Sequence, residues 1–308
     1  MLMNAPPGHA RPEGRFDNHP REYQHIKAVP FAAAMGAEIE GIDIASISDS
    51  EFNELEDALY RHKVVCLRDQ HFSHADQEAL TARFGPFSED AFTAGVDGHP
   101  NVQPVIKEAT QSLSMVFGGS WHTDSAFLDN PPGVSMLYSV ESPPFGGDTW
   151  WANTALAYQF LTPMMQAMLQ PLRVHMSGRA VVDGIRRKRA AGGEVNAIAE
   201  NFDYEEMMHR GRYQPLIRRH PKTGEQSIYV DQTYAVGIEG LSKKESRALL
   251  DFLFNHITQP EFTCRLRWAS NSLVLWDNRT TLHRAQNDYD GYRREAYRTI
   301  AAGEVPEA

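Results

Sequence analysis

Residues 120–127 read SWHTDSAF, and whether this stretch is extended or helical sets how the rest of the chain is read. In an extended segment side chains alternate with a period of two, so His122 and Asp124 project from one face. Two short ligating side chains on one face can take adjacent positions on one metal ion. In a helix, residues i and i+2 point apart. A second His-x-Asp, His74 and Asp76 in FSHADQEAL, reads as the helical case. Ser73 is placed as an N-cap, Asp76 falls in the first turn where a carboxylate is favourable, and Gly85 follows the last turn. That copy is explained as a helix start. The copy at 120–127 is judged by what else the chain brings to it.

Working outward, the surrounding segments are strand-like. GVSMLYSVE (133–141), GGDTWWAN (146–153), FTCRLRW (262–268), SLVLWDN (272–278) and REAYRTIAAG (294–303) predict strands, as do AEIEGIDI (37–44), VVCLRD (64–69) and SIYVDQTYAVGIEG (227–240). Helices are predicted over 48–63 and 242–257, each opened by a Ser/Glu capping box (Ser48 with Glu51, Ser242 with Glu245). Two shorter helices follow residue 153, the second with Thr162 as cap and Pro163 at its first position. Residues 1–22 are rich in Pro, Gly, His and Arg and read as a mobile tail. Residues 177–212 are polar and weakly patterned and read as a flap inserted in the single domain that spans 23–308. Many strands with peripheral helices predict a mainly β sandwich or barrel-like core.

Composition narrows the function classes. Thirty Lys and Arg stand against 40 Asp and Glu, a net charge of −10, which disfavours sequence-independent nucleic-acid binding. RRKR at 186–189 has no interleaved aromatics and reads as a solvated flap face. Two cysteines, Cys66 and Cys264, give neither a disulfide framework nor a zinc ligand set. No signal-peptide core and no run of transmembrane length is present, so the expected location is the cytoplasm, with no membrane partner.

A third ligand for the 120–127 site is sought in VLWDNRTTLHRAQNDY (274–289), where His283 is the strongest candidate. Two histidines and one carboxylate suit non-haem Fe(II), leaving positions open for substrate and O2. A hydrogen-bonded structural histidine is the competing reading. Downstream, Arg294 and Arg298 share parity on one predicted strand. Inward guanidiniums are costly without anions. Either both pair with internal carboxylates or lie on a solvated face, or they hold two different anionic molecules, which a guanidinium fork suits.

Taken together, WHTD, GGDTWW, HPKTG, LVLWDNRTTLHRA and the Arg-rich end resemble the taurine dioxygenase / dichlorophenoxyacetate dioxygenase family of Fe(II)- and 2-oxoglutarate-dependent oxygenases, over residues 25–303. WHTDSAFLDNPP, FTCRLRW and HRAQNDY are most similar to the dichlorprop-type enzymes. The resemblance implies a double-stranded β-helix (jelly roll) core with peripheral helices and a homodimer or homotetramer. It implies that His122, Asp124 and His283 ligate Fe(II), that Arg294 and Thr149 bind the distal carboxylate of 2-oxoglutarate, and that Arg298 clamps an acidic group on the substrate. Trp121 and Trp276 would be site neighbours or core aromatics. The implied reaction consumes 2-oxoglutarate and O2 and hydroxylates a small organic acid, with C–O, C–S or C–N cleavage where the hydroxylated carbon bears such a substituent.

The substrate pocket departs from the taurine enzymes. Asp90 and Thr93 fall near the places where those carry a His and a Tyr, and Gly118 where they carry an Asn. Taurine is therefore not the expected substrate. If Asp90 faces the pocket it opposes Arg298 and suits a zwitterion; the alternative makes Glu89 and Asp90 solvated loop charges. Asp231 stands where relatives often have Asn. A divalent-metal hydrolase or a non-catalytic small-acid-binding protein on the same fold remains the rival class. It leaves Arg294 and Thr149 without a role.

Overall fold

A computed structural model describes residues 10–88, 93–111, 118–192 and 205–308. The hairpin β1 (Lys27–Pro30) and β2 (Ala37–Glu40) leads to α1 (Asp49–His62), β3 (Val64–Leu67), α2 (His74–Phe84), β4 (Gln103–Lys107) and the long β5 (Pro132–Glu141). Next come β6 (Thr149–Asn153), α3 (Thr154–Gln159), α4 (Pro163–Leu169), β7 (Arg173–Met176), α5 (Arg179–Ala190), α6 (Glu205–Arg210), β8 (Arg212–Pro215), β9 (Ile217–Arg219), β10 (Gln226–Ile228) and β11 (Ala235–Ile238). Last are α7 (Lys243–Ile257), β12 (Thr263–Leu266), β13 (Ser272–Asp277), β14 (Thr281–Ala285) and β15 (Arg294–Ala302).

Among the described residues the largest sheet has seven strands in the order β1-β2-β3-β13-β5-β15-β4, and β12-β6-β14 form a second sheet. The strands β3 and β13 show why the seven-stranded sheet sits in the middle. Val65 and Leu67, with Leu273 and Leu275, join a cluster with Phe52, Leu55 and Leu59 of α1 and Leu80 of α2. Their neighbours Val64, Cys66, Val274 and Trp276 point the other way, into a cluster with Trp151, Cys264 and Leu282 of the second sheet. Both faces are apolar, so hydrophobicity does not alternate along these strands. Trp151 and Trp276 meet between the sheets with ring centroids 6.0 Å apart. The functional side chains lie in this same layer.

The helix signals hold. Ser48/Glu51 and Ser242/Glu245 make reciprocal capping boxes, and Ser73/Asp76 make a third. His74 therefore packs as a helix-start residue, 4.5 Å from the Tyr297 ring. Other expectations shift. The predicted first strand ends at Glu40, because Gly41 at φ +98 turns the chain and Asp43 caps a 3-10 turn. SIYVDQTYAVGIEG is two strands split by a turn at Asp231. The polar 177–212 stretch carries α5 and α6 in its described parts, with Arg186 and Arg187 exposed.

The supposed tail is anchored from within its own length. Asn18 is buried, donates to the carbonyls of Ala32 and Gly36, and contacts His62 Nδ1 at 2.6 Å. Low apolar content hid this because the attachment is polar. No helix among the described residues is long and apolar enough to cross a membrane.

Candidate active site

The 120–127 stretch is extended only where it must be. His122 forms an isolated antiparallel bridge with His283 of β14: each backbone N–H donates to the other's carbonyl, at 3.0 and 2.7 Å. This sets the two imidazoles side by side, with ring centroids 4.1 Å apart. Asp124 already lies in the following turn, which continues through Ser125 at φ +40. It reaches the histidines from that turn rather than by strand parity.

The three side chains converge. Asp124 Oδ1 lies 3.7 Å from His283 Nε2 and 4.0 Å from His122 Nε2, and one donor atom from each of the three falls within 4.8 Å of the others. The polar atoms facing away are taken on His122 and Asp124, while His283 Nδ1 is buried without a partner. His122 Nδ1 donates to the Ser120 carbonyl at 2.8 Å, which leaves the Nε2 lone pair facing Asp124. Ser135 of β5 donates to Asp124 Oδ2 at 2.6 Å and accepts from Asn278 Nδ2, whose Oδ1 accepts from Trp276 Nε1. Asp124 Oδ1 is left pointing at the histidines.

Electrostatics suit this arrangement to a cation. Burial pushes both imidazoles toward the neutral form, His283 down to about 3. Burial works against the Asp124 carboxylate, but His283, Arg298 and His122 outweigh it and hold the group below the usual range. Two neutral nitrogen lone pairs and one ionised oxygen, sealed from water, fit a divalent transition metal.

The two arginines of β15 point into the same layer. Arg298 Nη1 lies 3.7 Å from Asp124 Oδ1. Arg294 is buried, its Nε has no partner, and its guanidinium sits 5.4 Å over the Trp268 ring. Trp268 Nε1 donates to Thr149 Oγ1 at 2.9 Å. Thr149 pairs with Ala285 on β14, two residues from the His283–Trp151 pair, so it shares a face with His283. The structure thus brings His122, Asp124, His283 and Arg298 together, with Thr149 on the His283 face of its sheet and Arg294 linked to Thr149 through Trp268.

Gly118 borders it too. At φ +79, a Cβ on Gly118 would lie 3.3 Å from His122 Cε1, so a side chain there would crowd the Nε2 edge of that imidazole. Trp276 flanks His283 at 5.0 Å between ring centroids, whereas Trp121 packs under the Arg284 guanidinium. Thr93 is half-buried, and Asp90 lies outside the described residues.

Sequence reasoning missed the polar frame behind the ligands. Thr123 Oγ1 donates to the Asn278 carbonyl. His220 of HPKTG accepts at Nδ1 from the Lys222 and Thr223 amides and places Nε2 2.9 Å from Asp277 Oδ2. Burial alone would raise Asp277, but His220 and Arg279 hold it far below the usual carboxylate range. Motifs flagged His220 and Asn278, but only the chain crossings show what they brace.

Asp231 belongs to this frame. Its Oδ1 accepts from the Thr233 and Tyr234 amides, while Oδ2 is buried without a partner. Burial raises the carboxyl from 3.8 to about 7, against the opposing pull of the Tyr234, Thr233 and Thr123 amides. Between those values the unfolded chain has lost the proton and the folded one keeps it. Stability therefore falls as pH rises from near 4 to near 7, then levels off, by at most ~4 kcal/mol. Asp231→Asn removes this dependence. Its melting temperature relative to the parent should climb between pH 5 and pH 8. An unchanged difference would mean that the folded protein ionises Asp231 normally.

Comparison with known proteins places this geometry in context. The profile of the taurine catabolism dioxygenase TauD, TfdA family matches residues 27–300. An alpha-ketoglutarate-dependent sulfate ester dioxygenase of Pseudomonas putida is 33% identical over 293 residues, covering 90% of this chain and 89% of the relative. An alpha-ketoglutarate-dependent 2,4-dichlorophenoxyacetate dioxygenase of Cupriavidus pinatubonensis is 30% identical, covering 89% and 96%. The crystal structure of a taurine dioxygenase from Burkholderia xenovorans superimposes with a TM-score of 0.75 at 35% identity, over 92% of this chain and 93% of that one.

Proposed function

The chain belongs to the TauD, TfdA family, and from that premise we propose that His122, Asp124 and His283 hold Fe(II), that Arg294 and Thr149 hold 2-oxoglutarate, and that Arg298 holds the acidic group of the substrate. The protein is a 2-oxoglutarate-dependent dioxygenase acting on a small anionic organic substrate. One C–H bond, one 2-oxoglutarate and one O2 yield one C–OH, one succinate and one CO2. The observation that carries the residue assignment is the convergence of two neutral histidines and one carboxylate beside two inward arginines.

Bound Fe(II) supplies the centre at which 2-oxoglutarate and O2 react. The chain's own residues do the rest. The His122–His283 backbone bridge and the Ser135–Asn278 frame fix the ligand atoms before metal arrives. Arg294 and Thr149 anchor one end of 2-oxoglutarate, so its oxo-acid end is presented to the metal in one orientation. Arg298, close to Asp124, draws the substrate's anionic group to the ligand set. Trp276 and the buried layer between the sheets exclude water. Where the hydroxylated carbon bears oxygen, sulfur or nitrogen, the product collapses with cleavage of that bond.

The seven-stranded sheet and its three-stranded partner form, on this reading, the double-stranded β-helix. Two buried free cysteines suit a reducing cytoplasm, and a homodimer or homotetramer completes the reading. The test is succinate formation with Fe(II), 2-oxoglutarate and O2 across alkyl sulfates, aryloxyalkanoates, sulfonates and amino acids. At least one should stimulate succinate release stoichiometric with its own loss. Stimulation by none, with 2-oxoglutarate consumed at the same low rate throughout, would count against a small organic acid as substrate.

A further inference from the structure

The edge strand β4 carries a charge that neither the motifs nor the ligand set explains. Its register pairs Lys107 with Arg294, Val105 with Ala296 and Gln103 with Arg298. Directly paired residues of an antiparallel ladder project to the same side. Val105 packs on the cluster that contains Ala296, so that side is the interior one. Lys107 is only 2% exposed. Its ammonium sits 4.6 Å from the Tyr289 ring centroid and makes one long hydrogen bond, 3.4 Å to the Tyr292 carbonyl. Tyr289 also hydrogen-bonds Arg294, whose Nε is buried without a partner.

Among the described residues, neither cation has a carboxylate within 4.0 Å. The nearby acids are engaged elsewhere. Asp288 accepts from the Gly147 amide, Asp148 holds Arg265 through Oδ2 while its Oδ1 is buried without a partner, and Glu108, Glu141 and Glu295 surround Arg293. Among the described residues, these two buried positive charges thus share one tyrosine and meet no carboxylate. That is costly unless a ligand supplies the negative charge.

We propose that Lys107 is the second cation on the distal carboxylate of 2-oxoglutarate, facing it from β4 as Arg294 faces it from β15. The inference rests on the reading of Arg294 as the 2-oxoglutarate anchor. The carboxylate then receives a guanidinium, an ammonium and the Thr149 hydroxyl. Lys107 contributes as a point charge, Arg294 as a fork.

The test is calorimetric binding to the Mn(II)-loaded protein of two oxo acids: 2-oxoglutarate, and 2-oxobutyrate, which has the same metal-binding end and no distal carboxylate. Lys107→Met should weaken 2-oxoglutarate about tenfold, a typical loss for a charge-assisted hydrogen bond, while 2-oxobutyrate changes little. Lys107→Arg should recover most of the difference. If Lys107 only braces the Tyr289–Tyr292 loop, both ligands weaken equally or neither does, and the proposal is overturned. The ratio between the ligands is internal to each variant, so partial unfolding does not imitate the result; Lys107→Gln offers a second variant should the methionine fold poorly. Arg294→Gln, run in parallel, should abolish the preference for 2-oxoglutarate. If it does not, the anchor reading itself is wrong, whatever Lys107 does.

Discussion

Replacing Asp124 by alanine should abolish substrate-dependent succinate formation and lower Fe(II) affinity more than ~100-fold. Loss of a mere supporting partner of a ligand costs about 10–100-fold, and a ligand costs more. The physical reason is that Asp124 carries the negative charge among the three converging donors. Its Oδ1 faces both histidine Nε2 atoms and Arg298, while Ser135 occupies its other oxygen. Without it, the histidines offer two neutral nitrogens beside a positive guanidinium, a poor site for a dication. Metal affinity, read by competition with a chromogenic chelator, separates this from a folding defect, as does an unaltered near-ultraviolet circular dichroism spectrum. Retained iron binding with lost turnover would move Asp124 from ligand to another role.

Arg298→Leu should raise the KM for the acidic substrate by about 100-fold, the range expected when a charge-assisted, largely buried contact is removed. The KM for 2-oxoglutarate should move little, because Arg294 and Thr149 lie elsewhere on the site wall. The two arginines leave the same strand on the same face, but their surroundings differ. Arg298 looks at Asp124, and Arg294 looks at Trp268, Tyr289 and, through the indole, Thr149. An equal rise in both constants would show that Arg298 supports the whole pocket rather than reading the substrate.

Much of the fold was legible where local chemistry decides it. The two capping boxes and the Ser73 N-cap place α1, α7 and α2 to within a residue, because an orphan amide and a side-chain oxygen three residues apart need nothing distant. The candidate side chains were legible through residue type and, for Arg294 and Arg298, parity; those two and His283 lie on strands. Asp124 shows the limit of parity, since it meets the histidines from a turn that a period-two pattern does not describe.

The rest depends on crossings between distant segments. QPVIK has no motif, and Lys107 matters only because β4 pairs with β15. Asn18 looked like part of a polar tail because its burial depends on carbonyls of residues 32 and 36. Asp231 was visible as a departure, but its raised pKa comes from burial that no local pattern encodes.

We propose one Fe(II) held through His122, Asp124 and His283, with one 2-oxoglutarate beside it. Anaerobic titration of the Fe(II)-loaded protein with 2-oxoglutarate, followed by visible charge-transfer absorption, is the test. The prediction is a band that saturates at one equivalent per chain, is absent in Asp124→Ala, and is absent when 2-oxobutyrate is supplied at the same micromolar concentration. A protein that binds iron but develops no such band, or that binds Zn(II) at these residues and ignores 2-oxoglutarate, would contradict it.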